Sequence, residues 1–375
     1  MMKIAIITSH ANSLVNFRSH LIVDLHRNGL DVFALAPDFN EEIKNKICSL
    51  GATPVDIRMN RAGMNPFEDL ISTIQIYWKL KKLKIDIAFS YFIKPVVFGI
   101  TAAWLAKVPR RYSMIEGLGF VFTESSDNKN GIIRLFLKFI VKNLYKFSLS
   151  LTDKVIFLNP DDINEFSNQG IVDPRKTFLL GGIGVDLDTW RYSTPKIEPV
   201  TFLMVSRLLK EKGIREYVAA AKLVKEKYPK CRFILLGGQD DNPGSISKED
   251  VDAWAKEGCV EWHGHVSVAP WMQQSSVFVL PSYREGVPLS TQEAMASGRA
   301  IITTDVPGCR ETVIDGLNGY LIPSKDHVKL ADAMTRFIED TDLIFTMSLE
   351  SHNMAKDKFD VKKKNEKLLS IILSK

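Results

Sequence analysis

The fold of this chain is decided by the stretch Leu280-Pro-Ser-Tyr-Arg-Glu285-Gly-Val-Pro-Leu-Ser-Thr-Gln-Glu293-Ala-Met-Ala-Ser-Gly298. It follows the apolar run 277–280, which predicts a buried strand, and residues 291–297 predict a short helix that ends at Gly298. A strand, a loop and a helix in this order are typical of an open parallel sheet, where ligands bind at the carboxyl ends of the strands. Because the helix directs its positive end at such a ligand, the stretch predicts an anion-binding site.

Two glutamates of this stretch, Glu285 and Glu293, lie eight positions apart, so one can project from the loop and the other from the helix. They can therefore hold different parts of one elongated ligand. Between them, Gly286 lets the backbone approach a ligand closely, and Pro288 fixes a turn. The backbone N–H groups that remain to meet oxygen atoms are those of Gly286, Val287, Leu289 and Ser290.

Further short apolar runs alternate with helical patterns on both sides of the stretch. In the second half the predicted strands are 201–205, 231–236, 260–264 and 300–304, and the predicted helices are 214–228 and 251–256. In the first half the predicted strands are 3–8, 32–36, 54–57, 85–90, 111–115 and 155–158, and the predicted helices are 17–28, 39–50, 65–83 and 96–106. Such alternation indicates parallel, doubly wound sheets. The predicted fold class is α/β, with two Rossmann-like domains whose parallel sheets face a central cleft.

The composition is that of a soluble globular protein, with 375 residues, 45% hydrophobic and 25% charged. No apolar run reaches the ~20 residues that cross a bilayer, and the N-terminus reads as a strand rather than a signal peptide. We therefore expect a cytoplasmic protein. The four cysteines are scattered and form no Cys-x-x-Cys pair, so neither a disulfide framework nor a zinc site is indicated.

The net charge of +5 comes from the first half, where residues 76–154 hold 14 basic and 5 acidic side chains. In the helical pattern that starts at Gly131, four basic residues recur every four positions beside a wide apolar surface: Arg134, Lys138, Lys142 and Lys146. This pattern is typical of a helix on an anionic membrane. A buried helix with a solvated lysine edge would look much the same. We favour peripheral association with the cytoplasmic face of the inner membrane, and we expect no nucleic-acid partner.

A second candidate site follows the predicted strand 201–205. Arg207 supplies a rigid bidentate fork and Lys212 a mobile point charge, so together they can neutralise a diphosphate without a metal. The alternative is two surface cations on a loop. Asp240-Asp241 could suggest a metal, but adjacent carboxylates diverge and no third ligand is evident. We therefore predict that no metal or other cofactor is bound.

The motif that contains Glu285 and Glu293 resembles that of the retaining GT-B glycosyltransferases of glycosyltransferase family 4. The resemblance is close over residues 201–315 and looser before them. It implies an N-terminal acceptor-binding domain over 1–185, to which a C-terminal helix over 360–375 crosses back. A C-terminal nucleotide-sugar-binding domain over 186–359 completes the implied arrangement.

The resemblance also implies roles for the donor-site residues. It assigns Glu293 to the ribose hydroxyls, Glu285 to the donor hexose, and Arg207 with Lys212 to the diphosphate. The backbone around the sugar and diphosphate is that of Gly286, Val287, Pro288 and Leu289. The residues that border the nucleotide are Gly238, His265 and Val266, so the pair His263 and His265 is not taken as a metal site.

The first loop departs from the family pattern, because it lacks the paired glycines that often face the cleft. Any acceptor contact would then come from His10, Asn12 or Ser13, close to Arg18. A simple helix cap by Ser13 or Asn16 is an equal alternative.

Glu116, followed by Gly117, stands where many family members carry a catalytic-site histidine, and we include it among the catalytic and acceptor-binding candidates. The motif Glu116-Gly-Leu-Gly119, together with Arg61-Ala-x-x-Asn65-Pro-Phe67, resembles a subgroup that extends polyprenyl-diphosphate-linked sugars, such as N-acetylgalactosaminyltransferases. The resemblance thus implies transfer from a UDP-N-acetylhexosamine to a lipid-linked sugar.

Three other functions compete with this one. A GT-A transferase would use an Asp-x-Asp metal site, which Asp186-Leu-Asp188 matches, but that pair lies in the apparent hinge. A nucleotide-binding membrane scaffold would leave Glu285, Arg207 and Lys212 without a shared purpose. A dehydrogenase is disfavoured because no Gly-x-Gly-x-x-Gly follows the first strand.

Overall fold

The computed structural model describes residues 1–60, 63, 65–117, 131–240, 242 and 244–374, with only the backbone over 131–136. The chain divides into two compact units. The first consists of Met1–Leu180 and Lys362–Lys375, and the second of Gly181–Val361. Each unit is built on one parallel β-sheet, and the predicted α/β fold with two Rossmann-like sheets is confirmed.

The sheet of the first unit has seven strands in the order β3-β2-β1-β4-β5-β6-β7. These strands are β1 (Lys3–Ile7), β2 (Asp31–Ala36), β3 (Ala52–Asp56), β4 (Ile87–Tyr91), β5 (Arg110–Ile115), β6 (Lys154–Phe157) and β7 (Thr177–Leu179). The helices are α1 (Ala11–Arg27), α2 (Glu41–Ser49), α3 (Pro66–Leu83), α4 (Ile100–Leu105), α5 (Gly131–Ser150) and α6 (Pro160–Asn168). Strands β2 and β3 are added on one side of β1, and β4 and the strands after it on the other side. The loops after β1 and β4 therefore leave the sheet in opposite directions from neighbouring strands and lie side by side.

The sheet of the second unit has six strands in the order β10-β9-β8-β11-β12-β13. These strands are β8 (Thr201–Val205), β9 (Arg232–Leu236), β10 (Glu261–Trp262), β11 (Val277–Leu280), β12 (Ala300–Thr304) and β13 (Gly319–Ile322). The helices that follow are α7 (Ile214–Lys227), α8 (Lys248–Lys256), α9 (Ala269–Gln274), α10 (Leu289–Ala296), α11 (His327–Glu339) and α12 (Asp342–Lys358). In this sheet the order in which strands are added changes side between β8 and β11. The loops that follow β8 and β11 therefore meet at the carboxyl edge of the sheet.

The last helix, α13 (Val361–Leu373), lies within the range 360–375 expected for it, and from Lys362 onward it is part of the first unit. Lys364 Nζ donates to the Leu180 carbonyl at 2.7 Å, and Asn365 Nδ2 donates to Asp24 Oδ2 at 2.7 Å. The first unit ends at Leu180 rather than at residue 185. The reason is that Gly184 N donates to Gln292 Oε1 at 3.1 Å, inside the second unit.

Three local predictions are wrong. Helix α1 begins at Ala11, not at Phe17, because burial of Leu14 and other residues of its first turns outweighs the low helix propensity of the polar ones. Residues 95–99 form a π-helical turn that leads into α4, where one longer α-helix was expected. The edge strands β7 and β13 were not anticipated, since runs of three or four residues carry little periodicity.

Candidate active site

The loops after β8 and β11 bring the two halves of the predicted donor site together. Lys212 Nζ donates to Glu285 Oε1 at 2.5 Å, although the two residues are 73 positions apart. Ser282 Oγ donates to the same carboxylate oxygen at 2.8 Å. The side chains of Lys212 and Glu285 are only 17% and 13% exposed, so the charge pair is partly withdrawn from solvent.

Two glycines hold these loops close together. Gly213 follows Lys212 with φ +72°, and a Cβ there would lie 2.1 Å from the Pro281 carbonyl oxygen. Gly308 has φ +81°, and a Cβ there would lie 2.2 Å from the Glu285 carbonyl oxygen. Both positions therefore require glycine for two reasons, the left-handed backbone and the close approach of another loop. This packing fixes Glu285 against Lys212.

Arg207 lies on the same loop as Lys212 but pairs with a different acid. Its guanidinium donates to Asp240 Oδ2 at 2.5 Å, and half of its side chain is exposed. The Leu208 N–H donates to the Gly238 carbonyl at 3.1 Å, which joins the loops after β8 and β9. Asp240 thus serves as a partner of Arg207, while Asp241 lies outside the described residues. An anionic ligand could therefore replace the Asp240 carboxylate as the acceptor of hydrogen bonds from the Arg207 guanidinium.

A buried glutamine, which the sequence analysis missed, positions the loop before α10. Gln292 is fully buried, and its Nε2 donates to the Val287 carbonyl at 3.2 Å and to the Pro288 carbonyl at 3.4 Å. With its Oε1 accepting from Gly184, the amide ties residues 286–288 to the start of the second unit. At Leu289, α10 opens with first-turn N–H groups that have no acceptor inside the helix. The only sequence signal for Gln292 is its position beside Glu293.

Glu293 lies on α10 in a largely enclosed setting. Burial raises the pKa of its carboxyl to about 8, because the charged form loses its hydration. Among the described residues no cation pairs with this carboxylate. A ligand that presents hydroxyl donors would supply the hydrogen bonds that the buried carboxylate otherwise lacks.

The residues expected at the nucleotide lie on an open surface next to β9 and β10. His265 and Val266 are exposed, and a Cβ on Gly238 would lie 3.4 Å from the His265 Cβ. The ring of His263 instead packs on Trp271, with a centroid distance of 4.1 Å. Among the described residues, no group of three His, Cys, Asp or Glu side chains is arranged to hold a metal ion.

In the first unit, the candidate loop residues separate into three environments. His10 is the N-cap residue of α1, and its Nδ1 bonds Asp38 Oδ2 at 2.7 Å, while Asp38 Oδ1 accepts from Ala11 N at 3.0 Å. Asp38 therefore caps the helix, and the alternative of a cap by Ser13 or Asn16 is wrong. Asn12 is exposed on the first turn. Ser13 is buried and shares hydrogen bonds of 3.0 and 2.7 Å with the hydroxyls of Thr8 and Tyr91.

Arg18 and Glu116 form a buried ion pair at the carboxyl edge of the first sheet. The Arg18 guanidinium also lies over the Tyr91 ring, 4.6 Å from its centroid, and donates to Met114 Sδ at 3.2 Å. Burial lowers the pKa of Arg18 to about 10, which leaves it charged at neutral pH. Gly117 continues the chain with φ +122°. Tyr91 thus links Ser13 to Arg18 and its partner Glu116, whereas the side chains of His10 and Asn12 are not part of this group.

Several residues of the other sequence motifs lie outside the described residues. These are Arg61 and Ala62 of the first short motif and Leu118 and Gly119 of the second. The Asp-x-Asp pair is described, and it forms a turn. Asp186 Oδ1 accepts from Asp188 N at 3.1 Å, and Asp186 Oδ2 accepts from Thr189 Oγ1 at 2.5 Å.

The sequence is similar to those of known glycosyltransferases. A family model described as "Glycosyl transferases group 1" matches residues 199–340. The chain is 29% identical to an N,N'-diacetylbacillosaminyl-diphospho-undecaprenol alpha-1,3-N-acetylgalactosaminyltransferase of Campylobacter jejuni, over 91% of each chain. It is 26% identical to a UDP-Gal:alpha-D-GlcNAc-diphosphoundecaprenol alpha-1,3-galactosyltransferase of Escherichia coli, over 94% of each.

The fold is shared with solved structures of much lower sequence identity. A sucrose-phosphate synthase of Thermosynechococcus elongatus has a TM-score of 0.80 and 18% identity over 99% of this chain and 98% of that one. HepE of Anabaena, solved with UDP and glucose, has a TM-score of 0.76 and 16% identity over the whole of both chains. The sequence likeness along nearly the full length and the shared architecture show that the chain is a glycosyltransferase with the GT-B fold.

Proposed function

We propose that the chain is a retaining transferase that moves an N-acetylhexosamine, first of all N-acetylgalactosamine in α linkage, from a UDP-sugar to a sugar on a polyprenyl diphosphate. The observation that carries the proposal is the Lys212–Glu285 pair at the reversal point of the second sheet, 2.5 Å apart, with Arg207 on the same loop as Lys212. The printed names of the two relatives support the lipid-linked acceptor. The product would enter a bacterial surface polysaccharide or glycan.

The chemistry follows from the charges of this site. The bond between the anomeric carbon and the UDP oxygen breaks, and the acceptor hydroxyl forms the new bond on the same face of the sugar. Arg207 and Lys212 stabilise the negative charge that develops on the leaving diphosphate. The acceptor proton passes to a phosphate oxygen of the leaving UDP, so neither a protein base nor a metal is required.

The remaining donor contacts are assigned by position. Glu285 binds the hexose, and Glu293 accepts hydrogen bonds from the ribose hydroxyls. The backbone of residues 286–289 surrounds the sugar and the diphosphate. Gly238, His265 and Val266 border the base, where the surface is open enough for an aromatic ring to lie against it.

The acceptor is assigned to the first unit. Glu116 takes the place of the histidine that many similar transferases carry, and the buried Arg18 pairs with it and orients it. Gly117 gives the backbone room beside it. His10, Asn12 and Ser13 complete the acceptor site, with Ser13 acting through its bond to Tyr91.

A donor panel against lipid-linked acceptors tests this function. We expect UDP-N-acetylgalactosamine to give the fastest transfer to a polyprenyl-diphosphate sugar, with an α linkage in the product and undiminished activity in excess chelator. Nucleotide binding without any product, across all donors and acceptors, would instead favour a non-enzymatic scaffold. Loss of activity on chelation would contradict the metal-independent mechanism.

Membrane association is proposed from α5. Its apolar side chains Phe139, Ile140, Leu144 and Phe147 are exposed, while Tyr145 and Leu149 are buried in the unit. Lys146 is exposed, but Lys138 and Lys142 are half-buried, so the basic edge faces solvent less than its spacing predicts. The side chain of Arg134 lies outside the described residues. No helix in the described part of the chain is both long and apolar enough to cross a bilayer.

Neutralising the basic residues of α5 should weaken binding to anionic vesicles. The variant Arg134→Gln, Lys138→Gln, Lys142→Gln, Lys146→Gln should lose up to ~4 kcal/mol of binding free energy, at about 1 kcal/mol for each cation. Its residual binding, measured by flotation, should depend less on salt. The matched control replaces four exposed lysines of the second unit by glutamine: Lys230, Lys248, Lys256 and Lys358. Equal losses in both variants would mean that α5 is not the membrane contact.

A further inference from the structure

Helix α3 presents an uncovered apolar face that the function proposed above does not use. Five large apolar side chains of this helix are exposed: Phe67, Leu70, Ile71, Ile74 and Trp78. The exposed fraction is 78% for Phe67, the first of them, and 59% for Trp78, the last. They recur at three- and four-residue intervals, so they form one continuous stripe along the outside of the helix. We call these five residues the α3 stripe. Isolated exposed apolar residues are ordinary on protein surfaces, but a contiguous stripe indicates a binding surface.

The orientation of α3 is fixed from its other side. Ile76 and Leu80 are buried in the core with residues of β1, β2 and β4. Asp69 is buried on the same side, and Lys94 Nζ donates to its Oδ1 at 2.7 Å. The Asn65 side chain accepts from Phe67 N at 3.1 Å and caps the helix, whose first residue is proline. Because the core contacts, the ion pair and the helix cap all fix the same orientation of α3, the α3 stripe faces outward.

The carboxyl-terminal end of the α3 stripe joins aromatic and basic side chains. Lys81 Nζ lies 5.7 Å from the Trp78 ring centroid and donates to the Tyr77 hydroxyl at 3.1 Å. Lys81 and Lys82 are both exposed in the last turn. Tryptophan, tyrosine and lysine together are typical of the boundary between lipid headgroups and acyl chains, where each has an apolar body and a polar end.

The acidic groups of α3 lie in its first turn, away from its basic end. Asp69 is neutralised by Lys94, whereas Glu68 accepts a hydrogen bond from the Asn60 amide and stays exposed at the amino-terminal end. The exposed charge at the end of the helix is therefore basic. Helices α3 and α5 both pack on the π-helical turn 95–99, so the α3 stripe and the apolar face of α5 belong to the same region of the first unit.

We propose that α3 is a second membrane helix, which lies in the interface of an anionic bilayer with the α3 stripe among the acyl chains and Lys81 and Lys82 at the headgroups. It differs from α5 in the source of its binding energy. The α3 stripe contributes through burial of apolar surface, which salt does not screen, whereas the α5 cations contribute through screened charge. The inference goes beyond sugar transfer and does not depend on the identity of donor or acceptor.

The test compares two triple variants in vesicle flotation. The first is Leu70→Gln, Ile74→Gln, Trp78→Gln, and the matched control is Leu223→Gln, Val328→Gln, Leu349→Gln, whose targets are exposed helical residues of the second unit. The vesicles contain phosphatidylcholine and phosphatidylglycerol. We expect the α3 variant to lose about tenfold or more in vesicle affinity at both low and high salt, because three apolar side chains no longer enter the bilayer. The control should bind as wild type does.

A second readout reports insertion directly. Quenching of tryptophan fluorescence by brominated lipids should fall in Trp78→Phe, although this conservative variant keeps its vesicle affinity. Circular dichroism and activity on a short-chain, detergent-soluble acceptor should be unchanged in all variants, which separates loss of membrane binding from loss of folding or of transfer. Wild-type affinity of the α3 triple variant would overturn the proposal. So would a concentration-dependent dimer of the wild type that the α3 variant abolishes, since the stripe would then bind a second copy.

Discussion

Lys212→Ala is expected to lower kcat for sugar transfer about a hundredfold or more, the usual cost of removing one group that stabilises charge in a transition state. The effect should be large because Lys212 sits in a partly buried position, where its charge is poorly screened by solvent. The affinity for the acceptor in the absence of nucleotide should not change, because the diphosphate acquires its extra charge only as the bond to the sugar breaks. Steady-state kinetics at saturating donor measure this directly.

The matched control for this variant is Lys210→Ala. Lys210 lies in the same short 3-10 turn, Lys210–Lys212, but it is exposed and lies apart from the Glu285 carboxylate. It should keep near wild-type turnover, and thermal unfolding should show that both variants are folded. Near wild-type turnover of Lys212→Ala at saturating donor would remove Lys212 from the mechanism.

Glu293→Gln is expected to stabilise the ligand-free protein by roughly 4 kcal/mol more at pH 8 than at pH 4, because the variant no longer has to bury a carboxylate. The pKa of Glu293 is raised from 4.5 to about 8 by burial, so the native state keeps this proton after the unfolded state has released it. The stabilising contribution of the neutral carboxyl is therefore complete below pH 4.5. It is lost as the pH rises to about 8, where the native state must carry the charge.

Urea unfolding from pH 4 to pH 9, at roughly unit intervals, tests this expectation. The difference in the free energy of unfolding between Glu293→Gln and wild type should grow in favour of the variant by up to ~1.4 kcal/mol per pH unit inside the window and then level off. The matched control is Glu226→Gln, whose exposed side chain on α7 should leave the difference near zero throughout. A constant difference for Glu293→Gln would show that its carboxyl is not desolvated.

Glu293→Gln, although more stable, should bind the donor more weakly than wild type does. Below pH 8 the ligand-free carboxyl is mostly protonated, and hydrogen bonds from the ribose hydroxyls favour its ionised form when the donor binds. Hydrogen bonds to a carboxylate are stronger than those to a neutral amide. We therefore expect a higher KM for the UDP-sugar with a smaller change in kcat. An unchanged KM would mean that Glu293 does not bind the nucleotide, whatever its effect on stability.

Much of the architecture could be predicted from local sequence. The runs 201–205, 277–280 and 300–304 become strands over the same residues, because apolar runs of this length are too short for a typical buried helix and pair their backbone groups in the interior of a sheet. Helix α13 likewise lies within its expected range, 360–375. The start of α1 could not be predicted in this way, since its cap comes from Asp38, on the far side of β2.

The candidate site, too, has features that could be predicted from the sequence and features that could not. The residue types of the candidate site could be read from the sequence: two glutamates around a glycine and a proline, and an arginine and a lysine after another strand. Only the tertiary structure decided that Lys212 and Glu285 touch, because the order of the strands brings the loops after β8 and β11 together. It also decided which apolar residues of α3 are covered. Both faces of that helix carry large apolar side chains, and only the packing of Ile76 and Leu80 against the sheet leaves the α3 stripe outside.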